Sequence, residues 1–175
     1  MPASESSSTS MPGMIAEDGT KRPIYTATMN ANKEALPFAD VLKTFEWNGA
    51  EFFSGTSNNN SKAKEYVDNN SSLNLVLSNS NDGVLNSASA SDDILVGYYT
   101  KGGQDAYMLA NFNDPKQVTT NNSVTLNFGD CTKARVYTGT ASGLTSEIVN
   151  LTNGSYTFTL QPGGGCFVIP VKTAS

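Results

Sequence analysis

Sixteen carboxylates, two cysteines and no histidine bound the acid–base, thiol and metal chemistry open to this 175-residue chain. Without histidine there is no Ser-His-Asp or Cys-His nucleophile pair, no His-ligated zinc and no imidazole proton shuttle. Cys131 and Cys166 alone do not make a four-thiolate centre or an iron–sulfur cluster. Acid–base work would therefore fall to carboxylates. The nearest local pair around an aromatic ring is Glu46 and Glu51, flanking Trp47. On a regular strand five residues span about 16–17 Å and the two side chains point to opposite faces. Glycoside hydrolysis needs carboxyl groups ~5 Å or ~6.5–9.5 Å apart, so this pair fails as a local device. Asp93 with Asp105, across a hairpin, is a more distant pair. The other carboxylates read as solvated turn and edge groups.

Binding chemistry is better supplied. A pyranose presents an apolar C–H face to an aromatic ring and hydroxyls to neighbouring amides and carboxylates. Trp47, Tyr66, Tyr98, Tyr99, Tyr107 and Tyr137 are the rings to weigh. Trp47 shares strand parity with Phe45, which places it in the core. Tyr98 and Tyr99 fall on opposite faces, so one points outward or toward a covering element. Tyr137 alternates against Ala134 and Val136 and is expected to be exposed. Trp47, Tyr98, Tyr99 and Tyr137 thus form the candidate carbohydrate-binding set. No cofactor is required. Asp92–Asp93 and Asn81–Asp82–Gly83 offer hard oxygen ligands for calcium, but neither follows the twelve-residue EF-hand pattern, and Asx turns account for them equally. Cys166 reads as a small buried hydrophobe. A Cys131–Cys166 disulfide is the alternative, provided their strands are neighbours.

These side chains need elements to hold them. Residues 1–20 are Ser-rich, carry three Met and two Pro, and show no periodicity, as expected of a leader or linker. From Pro23 to Phe45, Ile24, Ala27, Ala31, Ala35, Phe38, Val41, Leu42 and Phe45 recur every three to four residues, predicting an amphipathic helix. Pro23 suits its first turn, while Pro37 should kink or break it. From residue 46 onward the pattern is β. Strands are expected at Phe45–Phe53, Leu73–Ser78, Asp93–Thr100, Asp105–Phe112, Ser123–Phe128, Ala134–Thr138, Ser155–Leu160 and Gly165–Val171. Val124, Leu126 and Phe128 oppose Thr125 and Asn127, and Tyr156, Phe158 and Leu160 oppose Thr157 and Thr159, the period of strands with one buried face. Turn signals at 81–83, 101–103, 113–115, 152–154 and 162–165 separate the runs. The fold class is mainly β: an antiparallel sandwich of about eight strands preceded by a helix. In the last strand both alternating sets are apolar, which suits a central position, whereas Pro170 favours an edge or bulge.

Composition narrows the partners. The net charge is -5, and eleven Lys and Arg are scattered, leaving no footprint for nucleic acid. No apolar run approaches the ~20 residues of a membrane span, and residues 1–20 lack a signal-peptide core. Charged residues are 15% of the chain, whereas Ser, Thr and Asn number 57 of 175. Six Asn-x-Ser/Thr matches, at Asn59, Asn69, Asn70, Asn121, Asn150 and Asn153, are expected by chance in such a composition.

Two stretches, DAYMLANFNDP at 105–115 and LQPGGGCFVIPV at 160–171, together resemble the C-terminal β-sandwich of (β/α)8-barrel glycoside hydrolases, β-galactosidase-like and related enzymes. RPIYTATMNANKEALPFADVLKTFEWNG at 22–49 looks like the final barrel helix and the crossover into that sandwich. The resemblance spans about Lys21 to Lys172. It implies residues 21–45 as a last barrel helix and 46–175 as a sandwich domain, in an extracellular enzyme whose catalytic carboxylates belong to a barrel outside these residues. The expected function is non-catalytic support of that neighbouring barrel, with weak contact to neutral polysaccharide or oligosaccharide. A stand-alone carbohydrate-binding module and a plain subunit-contact domain are the alternatives.

Overall fold

The computed structural model describes residues 13–57, 83–113, 118–140 and 142–172. The predicted strand Leu73–Ser78, Tyr66 and the Asn81–Asp82 pair lie outside them. Within the described residues one helix, α1 (Pro23–Leu42), precedes nine strands: β1 (Glu46–Phe53), β2 (Ser87–Ala90), β3 (Ile94–Lys101), β4 (Gln104–Asn111), β5 (Asn122–Asn127), β6 (Cys131–Thr140), β7 (Gly143–Asn150), β8 (Ser155–Leu160) and β9 (Gly165–Lys172). They form two antiparallel sheets, ordered β1-β3-β4-β9-β6-β7 and β2-β5-β8. The fold is a β-sandwich.

Alternation decides which residues meet. Ile94, Val96, Tyr107, Leu109 and Val168 project from the larger sheet onto Val124, Leu126 and Leu160 of the smaller one, and all are buried. The opposite face of the larger sheet carries Ala106, Phe167, Tyr99, Met108, Tyr137 and Ile169, over which α1 lays Phe38, Val41 and Leu42. Sequence reads β9 as a strand apolar on both faces, and it sits in the middle of its sheet with both faces covered. Pro170 is compatible with this place. Backbone pairing of β9 with β4 runs only from Gly165 to Val168. Beyond it the Gln104 side-chain amide donates to the Pro170 carbonyl (2.7 Å), so the side of Pro170 that lacks an N–H faces a side chain, not a ladder.

Three expectations are corrected. Helix α1 runs without interruption through Pro37 and ends at Leu42. Packing of Phe38, Val41 and Leu42 on the sheet offsets the hydrogen bond that Pro37 cannot donate. Strands β2 and β7 had no alternating apolar signature: SerAlaSerAla is too small-sided, and GlyLeuThrSerGluIleValAsn lies on a largely exposed edge. Between Trp47 and Gly49 the register with β3 slips by one residue, a bulge at Asn48. The hairpin β3–β4 turns on Gly102 and Gly103, both at positive φ (54° and 81°), the type I′ geometry closed to most side chains.

Candidate functional site

The bulge changes the carboxylate geometry around Trp47. Glu46 pairs with Thr100 and Glu51 with Val96, so both now fall on one side of β1 rather than on opposite faces. Four strand positions still separate them, about 13 Å, which exceeds either glycosidase spacing. Asp93 and Asp105 lie at opposite ends of the β3–β4 ladder, about 23 Å apart by strand rise. Neither pair is brought together.

Asp92, Asp93 and Asp105 have local structural roles instead. Asp93 Oδ1 accepts the Gly55 N–H at 2.8 Å, and the Ser57 hydroxyl meets Asp92 Oδ1. The fully buried Asn122 accepts the Asp92 N–H (2.9 Å) and returns its amide to the Asp92 carbonyl (2.8 Å). Asn111 donates across to the carbonyls of Leu160 (3.1 Å) and Gln161 (2.9 Å), tying the two sheets at this end. Among the described residues no three His, Cys, Asp or Glu side chains cluster as a metal site. At the other end Asp105 accepts the Tyr98 hydroxyl at 2.9 Å and stands 3.3 Å from Lys172 Nζ. Cys131 and Cys166 are both free and buried in the inner core.

The four rings of the carbohydrate-binding set separate. Tyr98 is buried between the sheets, stacked on Tyr107 at 5.6 Å, and presents no face to a ligand. Tyr137 does point away from the sandwich interior, but α1 covers that face, and the ring is half-buried against Phe167 at 6.3 Å. The expected exposure is therefore corrected, because a strand's parity gives its side and not its cover. Tyr99 is half-buried, edge-on to Phe167 at 5.8 Å. Trp47 is the opposite correction. It lies on the side predicted, opposite Tyr99, yet it is 52% exposed. Phe45, two residues earlier, is held against Phe167 (5.3 Å), whereas β1 is the outermost strand and leaves Trp47 at the rim.

A second surface lies along the helix. Helix α1 meets β6 and β7, and Phe38 is its one buried residue. Ile24, Ala27, Ala31 and Ala35, on the same stripe as Phe38 and Leu42, stay exposed. Beside them lies an open cleft of about 710 Å³. Its helix wall is Ala31, Ala35 and Phe38, its floor Met108 and Ala110, and its far wall the Gly163–Gly165 backbone. Gly163 has φ 70° and Gly164 N–H closes the turn on the Gln161 carbonyl at 2.9 Å. The Pro-Gly sequence at 162–163 marks this turn, but nothing local marks that it would face a helix. Among the described residues no helix is long and apolar enough to cross a membrane.

Comparison of the chain with protein-family models, with curated proteins and with solved structures finds no match.

Proposed function

We propose that this chain is a non-catalytic accessory module that docks, through α1, on a neighbouring domain. That domain, on the resemblance described above, is the catalytic barrel of a glycoside hydrolase. The observation that carries the reading is the split character of α1. The second half of its apolar stripe is held on the sheet, while Ile24, Ala27, Ala31 and Ala35 are left to solvent beside an open cleft. A helix that only had to cap this sandwich would have no use for an apolar stripe beyond its contact. Exposed apolar surface continuous with a cleft marks a contact with another folded unit.

Sedimentation velocity of the chain on its own tests the reading. The uncovered stripe should drive concentration-dependent self-association and bind the dye ANS, and Ile24→Lys with Ala31→Glu should remove both while leaving the far-UV circular dichroism unchanged. A strictly monomeric, ANS-silent wild-type chain contradicts docking through α1.

A further inference from the structure

The buried polar side chains gather at one end of the sandwich. Asp92, Asp93, Asn111, Asn113 and Asn122 are each no more than 3% exposed, and among the described residues Asp105 is the one other buried polar side chain. The five stand in one hydrogen-bonded group. Asn122 holds the Asp92 backbone, its Nδ2 lies 3.5 Å from Asn111 Oδ1, and that oxygen accepts the Asn113 N–H at 3.2 Å. The Phe112 N–H donates to the Asp93 carbonyl at 3.0 Å, so Asp93 and Asn113 come side by side where β3 begins and β4 ends. Two of these side chains are left unsatisfied by the group. Asp93 Oδ1 takes the Gly55 N–H, but Oδ2 has no partner, and neither Oδ1 nor Nδ2 of Asn113 has one. No cationic side chain among the described residues pairs with Asp93. Gly55 is 38 positions from Asp93, so a local Asx turn does not account for this carboxylate. Buried carboxylates are paired or coordinate metals, and an orphaned buried polar group marks the place of a water or an ion.

We propose that a calcium ion is bound at this end of the sandwich by the Asp93 carboxylate and the Asn113 amide oxygen. The donors select the ion. Carboxylate and amide oxygens, with no imidazole or thiol in the group, suit a hard cation and not zinc or copper. Magnesium demands a near-ideal octahedron and gives up its water reluctantly, whereas calcium tolerates an irregular set completed by water and main-chain carbonyls. The neighbouring Asp92 adds a second buried carboxylate to the local charge that the ion offsets. With a single carboxylate as ligand, the affinity belongs at the weak end of calcium sites, about 10⁻⁴–10⁻³ M. The bound ion would fasten the start of β3 to the chain leaving β4. That role does not involve α1 and is independent of docking through it.

Calcium chloride itself is the probe. Calorimetric titration of the full chain, stripped with EDTA and returned to chelator-free buffer, should show one saturable site. Calcium at 10 mM should raise Tm by about 3–10 °C over the value in EDTA, the shift that mass action gives at this affinity. Asp93→Asn should abolish both responses and, having lost a buried uncompensated charge, should melt no lower than wild type in EDTA. Asn113→Ala should weaken calcium at least about tenfold, the loss found for groups one shell further from a metal. Asp40→Asn, at an exposed carboxylate of α1, should leave the titration unchanged. Equal melting in calcium and in EDTA, with no heat of binding, overturns the proposal and leaves the orphaned groups to buried water. An equal rise with magnesium, or with sodium chloride at matched ionic strength, also overturns it, because screening of the net charge then accounts for the effect. So do Asp93→Asn and Asn113→Ala variants that titrate like wild type, which would place the ion elsewhere.

Discussion

Single residues here take their properties from cover more than from identity. Cys166 shows this most directly. It is 1% exposed, and burial pushes its thiol up to about 12. Burial likewise raises Cys131. The thiolate is the reactive form, so neither cysteine should react with DTNB at pH 8 until the chain is unfolded in guanidinium. The stability consequence has a definite sign. A raised folded value means that the native state holds its proton after the unfolded chain has released it. Stability is therefore complete below the ordinary thiol value and falls as pH climbs from about 9 toward 12, by about 1.4 kcal/mol per pH unit for Cys166. Tyr107, raised by burial and by Asp105, adds to the same alkaline slope above its ordinary value. Urea titrations between pH 8 and pH 10.5 should show this slope reduced in Cys166→Ala. An unchanged slope would remove Cys166 as its source. Alternation in the sequence predicted the face of Tyr98, Tyr99, Tyr137 and Trp47. It misjudged their cover, placing Trp47 in the core and Tyr137 in solvent, because burial depends on which strand is outermost and where α1 comes to rest.

At the scale of elements, the strands with clean period-two alternation, β5 and β8, were legible to within one or two residues, as was β9 from an apolar run that follows a turn. Those lacking it, β2 and β7, are recruited by their neighbours' ladders and not by their own pattern. The helix was legible from its spacing, but its seat was not. That seat depends on Gly139 of β6, where an added Cβ would run into the Glu34 carbonyl and the Phe38 ring. Glycine there is required by close approach, not by conformation. Gly139→Val should lift α1 from the sheet and uncover Phe167. The expected loss is on the order of 2–4 kcal/mol, the range for losing the burial of a large core side chain together with overpacking strain. A lower urea midpoint and new ANS binding in an otherwise β-rich spectrum are the measurements. A variant as stable as wild type would show that helix and sheet adjust around the added methyls.

For the molecule as a whole, the layers are not equivalent. The inner core between the two sheets contains no residue of α1, whereas the outer core of Phe38, Ala106 and Phe167 cannot close without it. This asymmetry divides the chain structurally: the sandwich is the folded body, and α1 closes its outer face. A fragment of residues 46–175 should therefore keep its antiparallel β spectrum and a cooperative transition, because the inner core is intact. It should be less stable than the full chain by at least about 3 kcal/mol, since Phe167 and its neighbours lose their cover. It should also aggregate more readily through the uncovered face. A fragment with no cooperative transition would make α1 part of one indivisible core, and the exposed half of its stripe would then need another explanation than a junction between domains. A fragment as stable as the full chain would deny the outer core any energetic role. The intermediate result, a folded but sticky sandwich, is the one that the proposed docking through α1 requires.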